Sequence, residues 1–271
     1  LLSIMNKNIY PAKPILKFLG IETINTCNRS CYFCKHGDIK VPEKKLPFEI
    51  IVKICKELNA MDFVGNIRTQ HINEPLVDDR IFDIIEYLRE NTNADNKIEM
   101  TTNGDFLTEE KLDLLIKKGV TSLTVSVYTD NHLKKILKLN EHYDFQIKDL
   151  RPQSPKVLQS ITNRNGTISP EKFSEKQKTL FKLKNKILQN EFCHRPFQAM
   201  IINADGKIAL CCEDMYAGCG IGSIFDNTVE ELWNGKILTN YRKHLMSNKK
   251  RKDLFFCNDC TAPGVPKIDY P

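Results

Sequence analysis

Short apolar runs and longer stretches of helical spacing alternate over the first 140 residues of the chain. KFLGIETI at 17–24 reads as a strand. PFEIIVKICKELN at 47–59 opens on Pro47 and sets Ile50, Ile51, Ile54, Cys55 and Leu58 on one stripe, which predicts a helix and makes Cys55 a core residue. A strand over 62–69 leads into HINEPLVDD and then a helix over 79–90. A strand over 97–102 runs into Asn103–Gly104. Thr108 then caps a helix over 109–118, with Glu109 and Glu110 placed where a helix N-terminus stabilises acids. A strand over 122–128 follows the turn at Gly119, and 132–139 predicts a shorter helix.

Strand, loop and helix repeated in this way predict a parallel sheet with helical crossovers. The polar segments Cys27–His36, Gln70–Asp79 and Thr102–Phe106 all follow strand ends, the side of such sheets where ligands bind. Past residue 140 the pattern decays, with strand candidates at 144–149 and 156–161 and almost no helix between them. Residues 171–191 carry six lysines, read as a solvated helix face or linker, with an anionic partner surface as the alternative. From Cys193 onward the chain is rich in cysteine. It holds a hairpin signal with Asp205–Gly206 between apolar strands, a short helix within 224–235 anchored by Leu232 and Trp233, and a basic KKRK run at 249–252. The expected organisation is a core over 15–170, a basic helical linker over 171–192 and a small unit over 193–271.

Composition narrows the classes. With 271 residues the chain can bury a sizeable core, and 41 % hydrophobic with 27 % charged residues excludes disorder as the dominant state. The net charge of +6 is too modest to indicate nucleic acid by itself. No stretch approaches the roughly 18 apolar residues of a membrane helix. The N-terminal segment lacks the pattern of an export signal, so a cytoplasmic location is expected. Ten cysteines in a chain that needs no staples therefore point to metal chemistry rather than disulfides.

Cys27, Cys31 and Cys34 put three thiols on one loop after the first strand. A structural zinc site needs four ligands, and His36 is the available fourth; a four-iron cube can instead take three thiolates and leave one iron open. TINTCNRSCYFCKH resembles the cluster loop of the radical S-adenosylmethionine (radical SAM) superfamily, with Tyr32 and Phe33 in its aromatic or apolar slots. The resemblance implies a partial (β/α)6 TIM-like barrel and a 4Fe–4S cluster on Cys27, Cys31 and Cys34. It also implies S-adenosylmethionine (SAM) chelated to the open iron and cleaved reductively to a 5′-deoxyadenosyl radical. HINEP then lies where the family has a glycine-rich segment ending in Glu-Pro, so Glu74 would hold the methionine amino group, with Asn73 beside it. Asn103 in TTNG and Ser126 at the next strand end fall at positions that often contact the cofactor.

Cys193, Cys211 and the Cys257-x2-Cys260 pair surround the predicted hairpin. Spacing alone leaves zinc and iron–sulfur open. The segment resembles the C-terminal auxiliary-cluster extension of radical SAM enzymes in its short twitch form, with no further cysteines after the pair. That implies a second, fully cysteine-ligated 4Fe–4S cluster acting as an electron carrier. Cys212 and Cys219 are left over. Neighbours in a strand face opposite ways, so Cys211 and Cys212 are expected to diverge, and Cys212 is a candidate hydrogen-atom donor. Arg151 and Arg164, the latter beside Asn163, are candidate substrate clamps, with interdomain ion pairs as the alternative.

The resemblance implies an oxidoreductase that takes a hydrogen atom from a small polar metabolite, sugar- or aminocyclitol-like, and passes an electron to the auxiliary cluster. An external one-electron reductant such as flavodoxin or ferredoxin would serve it. The alternatives are a peptide-modifying radical SAM enzyme and a non-enzymatic, zinc-stabilised binding module. The short stretch before the first strand argues against the peptide-recognition domain that the former usually carries.

Overall fold

The computed structural model describes residues 14–34, 36, 42–152, 154, 157 and 161–264. Five parallel strands form its sheet's main run: β1 (Phe18–Ile21), β2 (Asn66–Arg68), β3 (Lys97–Thr102), β4 (Ser122–Val127) and β5 (Gln146–Asp149). Helices α1 (Phe48–Ala60), α2 (Ile81–Asn91), α3 (Glu109–Lys118) and α4 (Asp130–Asn140) lie between successive strands. Later come α5 (Glu175–Leu188), α6 (Arg195–Gln198), strands β6 (Ala199–Ile202) and β7 (Ile208–Ala209), α7 (Val229–Asn234) and α8 (Lys236–Met246). The sheet order is β5-β4-β3-β2-β1-β6-β7. This is the parallel α/β sheet with helical crossovers that the alternation predicts, in the partial-barrel form that the resemblance implies.

Each early helix buries the stripe its spacing specifies. In α1 the buried residues are Ile51, Ile54, Cys55 and Leu58, and in α2 they are Ile81, Ile84, Ile85 and Leu88. Each such side chain contributes about 1.5–3 kcal/mol on leaving water. Thr108 caps α3 by accepting the Lys111 N–H, and Gly119 closes it in the left-handed region at φ 111°. Helix α4 starts two residues earlier than the apolar pattern suggests, because Thr129 accepts the His132 N–H and sets its start.

The chain after residue 190 supplies the other edge of the same sheet. β6 runs parallel to β1, and β7 returns antiparallel through the expected Asp205–Gly206 turn. Lys53 of α1 donates to the Ile224 and Asn227 carbonyls at 2.5 and 2.8 Å, and Glu57 accepts the Val229 N–H at 2.8 Å. α7 is fixed by a capping box between Thr228 and Glu231.

Two expectations are corrected. The strand expected at 156–161 falls largely outside the described residues, but the Ile161 N–H donates to the Val157 carbonyl at 3.0 Å, a helical bond four residues back. Val157 and Ile161 pack with Ile168, Phe173 and Phe181 of the α5 region, and Phe33 of the cysteine loop joins them. Helix α8 was not read from the sequence. Its buried Leu238, Tyr241, Arg242 and Leu245 carry the helical spacing, interrupted by an arginine that the periodicity counts as polar.

Candidate active site

Glu22, just past β1, is almost fully buried and accepts the Ile72 and Ala204 N–H groups at 3.1 and 3.0 Å. It thereby ties together the chain leaving β1, β2 and β6, and burial raises its pKa. Above that tie runs the loop with Cys27, Cys31 and Cys34. All three thiols line one cavity of about 290 Å³, together with Asn73, Glu74, Asn103, Ser126 and Phe33. The other walls include Arg68, Gln70, His71, Lys148, Arg164 and Cys212.

Cys27 is held on several sides. Its N–H donates to His36 Nε2 at 2.8 Å, its sulfur accepts the Arg29 N–H at 3.4 Å, and Asn103 Nδ2 lies 3.8 Å from the sulfur. The contact with Cys27 occupies His36 Nε2, and no group of three or more His, Cys, Asp or Glu among the described residues closes around a single ion. That disfavours the zinc alternative at this loop. Corners of a four-iron cube are more widely spaced than the ligands of one tetrahedral ion, which suits three thiols sharing a cavity wall. Burial raises the pKa of Cys27, and burial followed by the nearby Cys34 and Cys27 pushes Cys31 up to about 11. Three thiolates cannot coexist here without a cation, and a bound metal reverses that balance.

The loop is braced from below. Arg29 grips Asp105 with two bonds of 2.5 and 2.7 Å and lies over the Tyr128 ring at 4.3 Å. Tyr128 stacks on Phe33 and on His132, its hydroxyl is bonded to Ser126, and burial raises its pKa.

Glu74 is 2 % exposed; one oxygen accepts Thr102 Oγ1 at 2.6 Å and Leu76 N–H at 3.1 Å, and the other accepts Asn103 N–H at 2.6 Å. A carboxylate has about four acceptor sites, so one remains for a ligand donor. Along the same wall Asn73 Nδ2, Gln70 Oε1, His71 Nε2 and Arg68 Nε are buried without hydrogen-bond partners. Such groups are rarely left unpaired, so this wall fits a polar ligand the size and character of an amino acid or nucleoside.

The second thiol set lies behind Cys212. Burial, then the neighbouring thiols, raises Cys211, whose surroundings include Cys193, Cys260 and Arg195. Burial likewise raises Cys257, beside Cys193 and Cys260, and lifts Cys260 to about 11. Arg251 is 1 % exposed, donates to the Ala262 carbonyl at 2.9 Å and faces Cys257 and Cys260. Its Nε and one terminal nitrogen have no partner. A buried arginine with idle donors beside converging thiols fits a group of net negative charge, as a cluster on four thiolates is. Cys219 lies beside Asp214 and Tyr241, close enough to Cys257 to raise it, and is itself pushed by burial to about 12.

The proposed site residues therefore divide. Cys27, Cys31, Cys34, Phe33, Asn73, Glu74, Asn103, Ser126, Arg164 and Cys212 share the cavity. Tyr32 does not; its hydroxyl accepts Gln177 Nε2 at 3.1 Å and its ring packs on Phe173, which fixes the loop to α5. Arg151 does not either, because Asp149 and Asp130 take its guanidinium in ion pairs at 2.8 and 2.5 Å. Arg164, with φ 45°, reaches Glu213 at 3.2 Å, and Arg195 reaches the same carboxylate at 3.5 Å. Sequence reasoning missed Arg68, Lys148, Arg195, Glu213 and Arg251. Lone charges carry no spacing signal, and Arg251 sits in a KKRK run that reads as solvated.

Residues 21–150 match the family model of the radical SAM superfamily, and residues 193–261 match that of an iron–sulfur cluster-binding domain, SPASM. The chain belongs to the radical SAM superfamily and carries that second domain: it is a radical SAM enzyme, with SAM, a 4Fe–4S cluster and an auxiliary iron–sulfur cluster as its cofactors. Over nearly its whole length it is similar to the S-adenosyl-L-methionine-dependent 2-deoxy-scyllo-inosamine dehydrogenase of Niallia circulans, at 23 % identity over 94 % of this chain and 98 % of that protein. A GTP 3′,8-cyclase of Actinobacillus pleuropneumoniae is 26 % identical over 45 % of this chain and 38 % of its own length. In fold, the structure of BtrN in complex with AdoMet and 2-DOIA superposes with a TM-score of 0.73 at 20 % identity, covering 92 % of this chain and 94 % of that one. Streptococcus suis SuiB bound to precursor peptide SuiA gives 0.61 at 14 % identity, covering 92 % and 70 %.

Proposed function

We propose that the enzyme is a radical SAM dehydrogenase that removes hydrogen from a hydroxyl-bearing carbon of a small polar metabolite of the sugar or aminocyclitol class. The observation that carries this reading is one small cavity with a thiol set in its lining and a second thiol set behind it. Cys27, Cys31 and Cys34 line the cavity, as does Cys212, the chain neighbour of Cys211 in the second set. The bound cofactors supply hydrogen-atom abstraction through a 5′-deoxyadenosyl radical and uptake of the remaining electron. In this reading Cys27, Cys31 and Cys34 would hold the first cluster, and Cys193, Cys211, Cys257 and Cys260 the second. Glu74 offers its remaining acceptor site to the methionine ammonium, and Asn73 offers its idle amide to the same end of the cofactor. Arg164 then faces the substrate, held by Glu213. The full-length similarity to a dehydrogenase supports the reaction class.

Ten free cysteines suit a reducing, cytoplasmic setting, and no helix among the described residues is long and apolar enough to cross a membrane. An external one-electron reductant such as flavodoxin or ferredoxin is part of the proposal, and nucleic acid is not. Anaerobic protein should bind about eight iron per chain and form 5′-deoxyadenosine together with a product about two mass units lighter than substrate. Turnover without any such loss of mass would sink the dehydrogenase reading.

One observation favours a second reading. Cys212 lines the cavity and its thiol lies 3.9 Å from Glu213 Oε1, so it would give a hydrogen atom to a substrate radical to form an epimer, the thiyl radical left on it then taking one electron from the external reductant and a proton. Reaction in deuterated buffer separates the two. Deuterium incorporated at carbon with no net oxidation, and lost in Cys212→Ala, would select epimerisation.

A further inference from the structure

Arg251 belongs to the basic KKRK run at 249–252, yet it is turned inward. Lys249 and Lys252 are exposed, whereas Arg251 is 1 % exposed. Lys250 before it and Asp253 after it have φ of 54° and 57°, a region that residues other than glycine seldom enter. The Arg251 N–H donates to the Gln189 carbonyl at 3.2 Å, which pins this turn to the chain just past α5. The backbone thus accepts strain where it buries a cation.

Only part of the guanidinium is used. Nη1 donates to the Ala262 carbonyl at 2.9 Å, and Cys260 Sγ stands 3.9 Å from the same oxygen. Nε and Nη2 are buried without a hydrogen-bond partner. A Cβ at Gly264 would lie 3.1 Å from Nη2 and 3.3 Å from Cys193 Cα, so glycine keeps open the gap between the guanidinium and Cys193. At Cys257 and Cys260 burial raises the thiol pKa, and the Arg251 charge opposes that rise. Three of the four thiols of the second set therefore border one guanidinium. Arg195, near Cys211, has Glu213 as its counter-ion at 3.5 Å; among the described residues no carboxylate pairs with Arg251. Arginine does not shed its proton to relieve burial, so its charge calls for an anion.

We propose that Arg251 is a positioning residue of the auxiliary cluster: its idle Nε–H and Nη2–H groups donate to sulfurs of that cluster and its charge raises the cluster's reduction potential. This rests on Cys193, Cys211, Cys257 and Cys260 being the ligands, as proposed above. A cube on four thiolates becomes more negative when reduced, so a fixed positive charge and hydrogen bonds to sulfur favour the reduced state. That makes the second cluster a better acceptor for an electron leaving the substrate.

The test reads the potential rather than turnover. The full chain carrying Cys27→Ala, Cys31→Ala and Cys34→Ala is reconstituted anaerobically, so that the second cluster is seen alone, and titrated against potential by electron paramagnetic resonance. Adding Arg251→Gln should lower the ratio of reduced to oxidised cluster at a fixed potential about ten-fold or more, which is about 59 mV for one electron. Arg251→Lys, which keeps the charge but loses the fork, should fall less. An unchanged potential in an iron-replete Arg251→Gln chain overturns the proposal, because a residue that merely supported the fold would alter iron content or melting and leave the potential of the retained cluster alone. Should these variants shed their iron, the unsubstituted Arg251 decides. Arginine labelled with nitrogen-15 should give a spin-echo coupling to the reduced cluster that persists in Arg195→Lys, and the absence of that coupling, or its loss in Arg195→Lys, overturns the proposal. Zinc or no metal at the second set would mean that the ligand reading has failed, and this proposal falls with it. A four-iron cluster indifferent to Arg251 leaves the ligand reading standing and removes this proposal alone.

Discussion

Glu213 shows how one carboxylate can serve stability and site geometry together. Despite burial, Arg164 and Arg195 hold its pKa below the ordinary 4.5. The unfolded chain therefore binds more protons than the folded one between the folded value and 4.5, and stability rises with pH across that window. The contribution is fully present above about pH 5 and is lost as pH falls through the folded value. Glu213→Gln should show a flatter acid limb in melting temperature against pH than the parent. An identical acid limb would show that the two arginines do not hold this charge. Glu74→Gln replaces an acceptor oxygen with a donor inside a ring of donors, and should weaken SAM binding by about ten-fold or more in equilibrium titration. Unchanged affinity would remove Glu74 from the cofactor site. At this scale the cysteines were legible because the three thiols proposed to hold the first cluster fall within eight consecutive residues, Cys27 to Cys34. Glu213 and Arg195 were not, since their partners come from distant segments and a single charge has no period to read. Arg151 takes the ion-pair alternative: a strand-end arginine looks the same in sequence whether it meets a ligand or, as here, Asp149 and Asp130.

Helices and turns carry the site on ordinary physical grounds. Leu58 is 1 % exposed on the buried stripe of α1, and Leu58→Ala should cost about 2–5 kcal/mol in denaturant unfolding. A loss below about 0.5 kcal/mol would mean that α1 is not packed as described. Gly206 has φ 78°, and a side chain there would meet the Phe225 ring 2.3 Å away. Gly206→Ala should loosen the β6–β7 turn, lower the melting temperature and reduce iron retained by the second thiol set, because Cys211 lies just past β7. Full iron occupancy with an unchanged melting point would contradict this. The α/β alternation was readable as far as β5, where apolar spacing and caps agree, as at Thr108 and Gly119. It failed at 156–161, where KVLQSI has the look of a strand but the two described residues, Val157 and Ile161, are joined by a helical hydrogen bond and pack with Phe173 and Phe181. It failed again at α8, whose buried Arg242 donates to the Pro196 and Trp233 carbonyls and lies 4.0 Å over the Trp233 ring.

Across the whole molecule, the sheet sets β1, which leads to the first thiol set, beside β6 and β7, which lead to Cys211 of the second. The loop after β1 holds Cys27, Cys31 and Cys34, and the hairpin beside it leads to Cys211. Sequence separation of 181 residues between partners such as Phe18 and Ala199 concealed that adjacency, because β6 joins the sheet at β1 rather than after β5. The contacts of Lys53 and Glu57 with the segment before and at α7 hold the C-terminal part against α1. The most direct test of two cluster sites flanking one cavity is iron counting by Mössbauer spectroscopy and elemental assay on anaerobically reconstituted protein. The parent should be compared with the combined Cys27→Ala, Cys31→Ala, Cys34→Ala variant. The account expects about eight iron in the parent and about four in the variant, the remaining signal being that of a fully cysteine-ligated cube. Zinc in place of iron at either set, or an undiminished iron count in the variant, would contradict it.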